Sequence, residues 1–119
     1  MMLESQVMSI GSEAISADDP LLILFDETAS DQLRKVSVIQ RFSGLLPENY
    51  DIAVGNKIKF DDQEYTVKYV GELVKSNILM IGHATLNFKD VPENPQQNAI
   101  YLEPYELPQI KKGTIIKYS

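Results

Sequence analysis

The chain has no cysteine, which excludes disulfides, thiolate nucleophiles and cysteine-based zinc sites. It has a single histidine, His83. That removes histidine-rich metal sites, and a Ser-His-Asp arrangement survives only if His83 is itself the base. Basic side chains are scarce, 11 Lys and Arg against 17 Asp and Glu, for a net charge of -6. Nucleic-acid binding needs a basic footprint, and nothing here exceeds the pair Lys111-Lys112. No apolar run approaches the ~20 residues that span a bilayer; Leu21 to Phe25 and Ile78 to Ile81 are far shorter. A signal-peptide layout is also missing, because Glu4 and Ser5 interrupt the start before any apolar core forms. No convincing helix of three turns is written, and neither a cofactor nor a metal is expected. These absences leave a soluble cytoplasmic protein, one domain over residues 1–119, large enough to bury a core without staples.

What is present reads as short strands between glycines and prolines. Val7, Met8 and Ile10 open a first strand that ends at Gly11, and Ser12 to Pro20 is a polar, turn-forming stretch. Leu21 to Phe25, LLILF, suits a strand buried on both faces. Asp26 to Asp31 is loop-like, with Ser30 or Asp31 capping a brief helical turn through Leu33. Val36, Val38 and Phe42 then alternate on one face, with Gln40 as the polar member of that row. It marks either the end of the core or a site. Gly44 to Gly55 is a connection. Lys57 to Phe60 and Tyr65 to Val70 flank Asp61 to Glu64 as a hairpin, with Ile58 and Phe60 facing Tyr65, Val67 and Tyr69. Pro92 and Pro95 fall in the longest loop, Ile100 and Leu102 mark another strand, and Thr114 to Tyr118 closes the chain. The fold expected is all-β, a small closed or nearly closed antiparallel β-barrel, since closure leaves no edge to aggregate.

The organising stretch is Asn77 to Phe88, NILMIGHATLNF. Ser76 and Asn77 are helix-capping types, and Ile78 to Ile81 suffices for about one turn. Gly82 can close that turn in the left-handed conformation because it has no Cβ. Period two follows, with Ala84, Leu86 and Phe88 on one face and His83, Thr85, Asn87 and Lys89 on the other. The barrel therefore carries one short helical turn before the His83 strand. His83 is an accessible imidazole at the mouth of a strand; the plainer alternative is a solvated surface histidine with no chemistry.

Gly71 after the hairpin, Asn77 and Leu79 in the turn, and Gly82-His83 followed by Thr85, Leu86 and Phe88 carry a resemblance. Ile10-Gly11, LLILF, Gly55 to Phe60 before Tyr65, and Gly113 before TIIKY support it. The chain resembles the glucitol/sorbitol-specific enzyme IIA family of the bacterial phosphoenolpyruvate-dependent sugar phosphotransferase system. The resemblance implies a small all-β cytoplasmic carrier without metal or cofactor. Such a carrier accepts a phosphoryl group on histidine from the phosphocarrier HPr and passes it to a cysteine on the IIB component of a sugar permease (IIB/IIC). His83 would be the acceptor, with Thr85, Asn87 and backbone N–H groups around Gly82 as donors to the phosphoryl oxygens.

One departure qualifies it. Aligned with the family, the phosphorylated histidine falls on Gln40 and a second histidine of that strand near Phe42, whereas His83 matches the family's other histidine. Either His83 is the sole acceptor, or the chain is a transfer-deficient regulatory or protein-binding paralogue of the same fold. A third reading, unrelated to the resemblance, is a small barrel enzyme using the pairs Asp18-Asp19, Asp26-Glu27 or Asp61-Asp62, all in turn-like stretches. The tyrosines and the apolar strand would also allow a homodimer.

Overall fold

The short alternating runs of the sequence become strands of four to eight residues arranged around a single interior. The structure, a computed structural model, describes residues 3–16, 18–43 and 52–119. In chain order the elements are β1 (Leu3–Ile10), β2 (Leu21–Phe25), α1 (Asp31–Lys35), β3 (Val38–Phe42), β4 (Lys57–Phe60), β5 (Gln63–Val70), α2 (Val74–Ile81), β6 (Ala84–Asn87), β7 (Ala99–Glu103) and β8 (Ile115–Tyr118). The strands close into a barrel in the order β1-β3-β2-β6-β7-β5-β4-β8, with β8 returning to β1. The closed all-β barrel expected from the sequence is the fold. Most of the Gly44 to Gly55 connection lies outside the described residues.

Two pairings depart from antiparallel: β2 with β3 and β6 with β7 are parallel. A parallel pair needs a crossover rather than a tight hairpin. The segment containing α1 supplies the first, and residues 88–98 supply the second. Ser30 caps α1, its hydroxyl accepting from the Leu33 N–H at 3.2 Å. After Phe88, which turns into the interior, the segment brings Gln96 to the outer face of β6 and β7, where Asn87 Nδ2 donates to Gln96 Oε1 and the Gln96 N–H donates to the Tyr101 hydroxyl. Thr85, Asn87 and Tyr101 are consequently buried although they point away from the barrel interior. LLILF, by contrast, is fully buried only at Leu22 and Leu24; its other residues are half-buried.

The hairpin turn is tighter than the sequence suggests, with only Asp61 and Asp62 between the strands. Asp61 takes φ 55° and accepts the Ile115 N–H on Oδ1. Ile58, Phe60, Tyr65 and Val67 face inward as expected, and Phe60, Tyr65 and Phe88 form an aromatic cluster. Tyr69 does not join them. The β5–β7 register shifts between Val67 and Tyr69, and one extra residue reverses the facing of all that follow. Tyr69 instead packs edge-on against Tyr101 and hydrogen-bonds Gln97.

The buried phenols make stability depend on alkaline pH. Desolvation pushes Tyr65 up to about 12, with Glu106 adding to the rise. Burial raises Tyr118 too, against the opposing pull of hydrogen bonds with Ser5 and Gln40. Both keep their protons in the folded state at a pH where the unfolded chain, titrating near 10, has lost them. Stability is therefore intact below about pH 10 and declines as pH rises toward 12. Urea midpoints between pH 9 and 11 are expected to fall across that window, and Tyr65→Phe to flatten the fall.

Candidate functional site

The only histidine is placed by the end of α2. The helix starts at Val74, earlier than Ser76 and Asn77 would suggest, and Leu73 at its N-cap makes no side-chain cap bond. A tertiary contact replaces the local one: the Leu73 N–H donates to the Gln97 carbonyl at 2.9 Å, and the Glu72 N–H to Gln97 Oε1 at 3.0 Å. Gly71 makes the approach feasible, since a Cβ there would lie 2.1 Å from the Gln97 carbonyl oxygen. The result is two helical turns rather than one, burying Val74 and Ile78, which are one turn apart.

Gly82 ends the helix at φ 61°, as its lack of a side chain anticipated. The peptide joining it to His83 is pinned from both sides. Its N–H, on His83, donates to the Asn77 carbonyl at 3.2 Å, and its C=O, on Gly82, accepts from Gln40 Nε2 at 3.0 Å. Gln40 is thus brought to the site from behind, and it does not touch the ring. It is fully buried, and its Oε1 accepts from Ser5 Oγ at 2.7 Å and from the Tyr118 hydroxyl. The strand continues past it to Phe42, so the core does not give out there.

The imidazole itself is half-buried and held on three sides. Nδ1 is 3.0 Å from the Leu24 carbonyl. A carbonyl only accepts, so Nδ1 carries the proton and Nε2 keeps its lone pair. The ring stacks on Phe25 with centroids 4.3 Å apart at 21°. Asn98 Nδ2 is 3.3 Å from Nε2, where an acceptor nitrogen requires the amide to donate. The result is an imidazole of fixed tautomer whose unprotonated nitrogen is met by one amide.

The other residues the sequence singles out are placed unequally. Thr85 contributes through its backbone: its N–H donates to the Asn98 carbonyl at 3.1 Å, holding Asn98 beside the ring. Asn87 is four residues along β6, about 13 Å away at ~3.3 Å per residue, and its amide is engaged with Gln96. Leu24, Phe25 and Asn98 were not legible as site residues, because they come from β2 and from the residue before β7, and only strand pairing brings them to position 83.

The carboxylate pairs remain in their turns. Asp26 Oδ1 accepts the Thr28 N–H at 2.9 Å. Glu27 forms a bidentate pair with Arg41 at 2.6 and 2.7 Å, which holds its carboxyl below the usual range. Asp61 and Asp62 border an open depression with Glu4 and Lys117. Among the described residues no group of three or more His, Asp or Glu is disposed to hold a metal ion, and no helix is long and apolar enough to cross a membrane.

Phe25→Ala removes the stacking partner and part of the surrounding wall. It is expected to lower stability by about 1–3 kcal/mol, since Phe25 is only half-buried. It should also broaden the His83 ring resonances in NMR spectra, because one of three contacts that hold the ring is gone.

Comparison with known proteins bears on the whole chain. The family model described as "PTS system glucitol/sorbitol-specific IIA component" matches residues 2–117. A crystal structure of a PTS system IIA component from Enterococcus faecalis V583 superposes with a TM-score of 0.88 at 38% identity, covering 97% of this chain and 98% of that one. No curated protein matches the sequence.

Proposed function

Because the chain belongs to the glucitol/sorbitol-specific IIA component family of the phosphotransferase system, we propose that His83 is its phosphoryl acceptor. In this reading phospho-HPr delivers the group to Nε2, and a cysteine of the IIB component of a sugar permease takes it on, in the cytoplasm. The observation that carries the proposal is the fixed tautomer. The Nδ1 proton is committed to the Leu24 carbonyl, so Nε2 presents a lone pair without a prior proton transfer.

Phosphoryl transfer asks little covalent chemistry of the protein and much positioning. The pinned Gly82–His83 peptide and the Phe25 stack supply that positioning. Leu79, Met80 and Ile81 immediately precede the site and are exposed. They offer the apolar surface on which HPr docks while its phosphoryl group meets Nε2.

Incubation with phosphoenolpyruvate, enzyme I and HPr is expected to place one acid-labile phosphoryl group on the wild-type chain and none on His83→Gln. A second reading, a binding paralogue without transfer, is favoured by Gln40, which stands where the family resemblance puts the phosphorylated histidine. The same experiment separates the two. An unlabelled wild-type chain that still binds HPr in a calorimetric titration is the paralogue.

A further inference from the structure

The geometry points to Asn98 as a second catalytic residue, an amide that caps Nε2 of His83 at rest and donates to the phosphoryl group once it arrives. This deepens the reading of His83 as acceptor and rests on it. Around the ring, α2 presents its carbonyl end, so the helix offers no N–H donors to an incoming anion. Nδ1 is occupied by Leu24. Among the described residues, the one side-chain donor hydrogen-bonded to the ring is Asn98 Nδ2, 3.3 Å from the reacting nitrogen. Its main chain is fixed by the bond from the Thr85 N–H and by the start of β7, leaving only the side chain free to turn.

The chemistry needs such a group at that point. In the forward step the Nε2 lone pair forms a bond to phosphorus as the N–P bond of the donor histidine breaks, its electron pair returning to the donor imidazole. No proton enters at Nε2, and Nδ1 keeps its own. The Asn98 N–H loses its acceptor at that moment, and the phosphoryl oxygens arrive within reach of the same amide. In the onward step a thiolate sulfur bonds to phosphorus, the Nε2–P electron pair returns to Nε2, and the amide re-pairs with it. A neutral amide suits both states, whereas a carboxylate would repel the anion and a lysine would hold it too strongly to pass on.

The test compares wild type, Asn98→Ala and Asn98→Asp with two donors, phospho-HPr and the small molecule phosphoramidate, following phosphohistidine by phosphorus NMR. Asn98→Ala is expected to slow labelling about 10- to 100-fold with both donors, with an unchanged urea midpoint. Asn98→Asp is expected to be slower still. Its acid limb shifts to higher pH, because a carboxylate opposite Nε2 favours the protonated ring, which has no lone pair. A purely structural role would instead slow Asn98→Ala only in step with a lowered urea midpoint. A wild-type labelling rate in Asn98→Ala with either donor would overturn the assignment. If phosphoramidate labels wild type while phospho-HPr does not, the carrier reading fails and the phosphoramidate rates still decide the role of Asn98. A wild-type His83 that takes label from neither donor sinks both.

Discussion

Replacing Gln40 with leucine is expected to remove about 3–5 kcal/mol of folding stability, a large share of what a domain of this size has. The volumes are similar, so the loss is not a cavity effect. It comes from three buried partners: the Ser5 and Tyr118 hydroxyls lose their shared acceptor, and the Gly82 carbonyl loses its donor. An orphaned buried polar group costs about 1–3 kcal/mol, and partial re-pairing of the two hydroxyls keeps the total below the sum. Gln40→Glu sharpens the argument. It preserves shape and the acceptor oxygen but sets a second oxygen against the Gly82 carbonyl. That contact is favourable only when the carboxyl is protonated, so its folded pKa is raised above the ordinary value near 4.3. Stability close to wild type is therefore expected near pH 4, declining as pH rises, while Gln40→Leu is equally unstable throughout. Chemical denaturation at pH 4 and pH 7 reads both. A leucine variant within about 0.5 kcal/mol of wild type would show that the network contributes nothing.

Gly82→Ala carries the second large effect, and it separates stability from activity. The backbone at φ 61° disfavours any Cβ by about 1–2 kcal/mol. The added atom would also lie 2.7 Å from Asp26 Cβ and 2.9 Å from the Asp26 nitrogen. That nitrogen donates to the Ile81 carbonyl at 2.9 Å, so relief of the clash pulls apart the bond joining β2 to the end of α2. A total loss of about 2–3 kcal/mol is expected. The barrel survives, but the peptide that carries His83 shifts relative to Leu24 and Asn98. A displacement on the order of 1 Å at a reacting group costs about 100-fold in rate. Thermal melts combined with labelling from phospho-HPr check the pair of numbers. A variant that melts early yet labels at the wild-type rate would show that the ring does not depend on the glycine.

The Gln40 and Gly82 cases mark how far the sequence could be read. Gly82 was legible in its role, because a left-handed helix end has one common local solution. Gln40 was legible only as an anomaly, a polar residue in the apolar row of β3. Its partners Ser5, Gly82 and Tyr118 are 35, 42 and 78 residues away, and no local pattern links such positions. Strict alternation along β5 puts Tyr69 on the wrong face for a similar reason. The shift after Val67 is a feature of pairing with β7 and leaves no mark in the alternation of β5 itself.

The sequence by itself determined the strand character of the short apolar runs and the turn at Gly82, because each depends on neighbours within a few residues, and its composition alone made His83 the sole histidine. Tertiary structure decided which nitrogen of that histidine carries the proton, what stacks on the ring and what caps the other nitrogen. Those contacts come from β2 and from the crossover ahead of β7, and they exist only once the antiparallel β2–β6 and the parallel β6–β7 pairings have brought distant segments to the same end of the barrel.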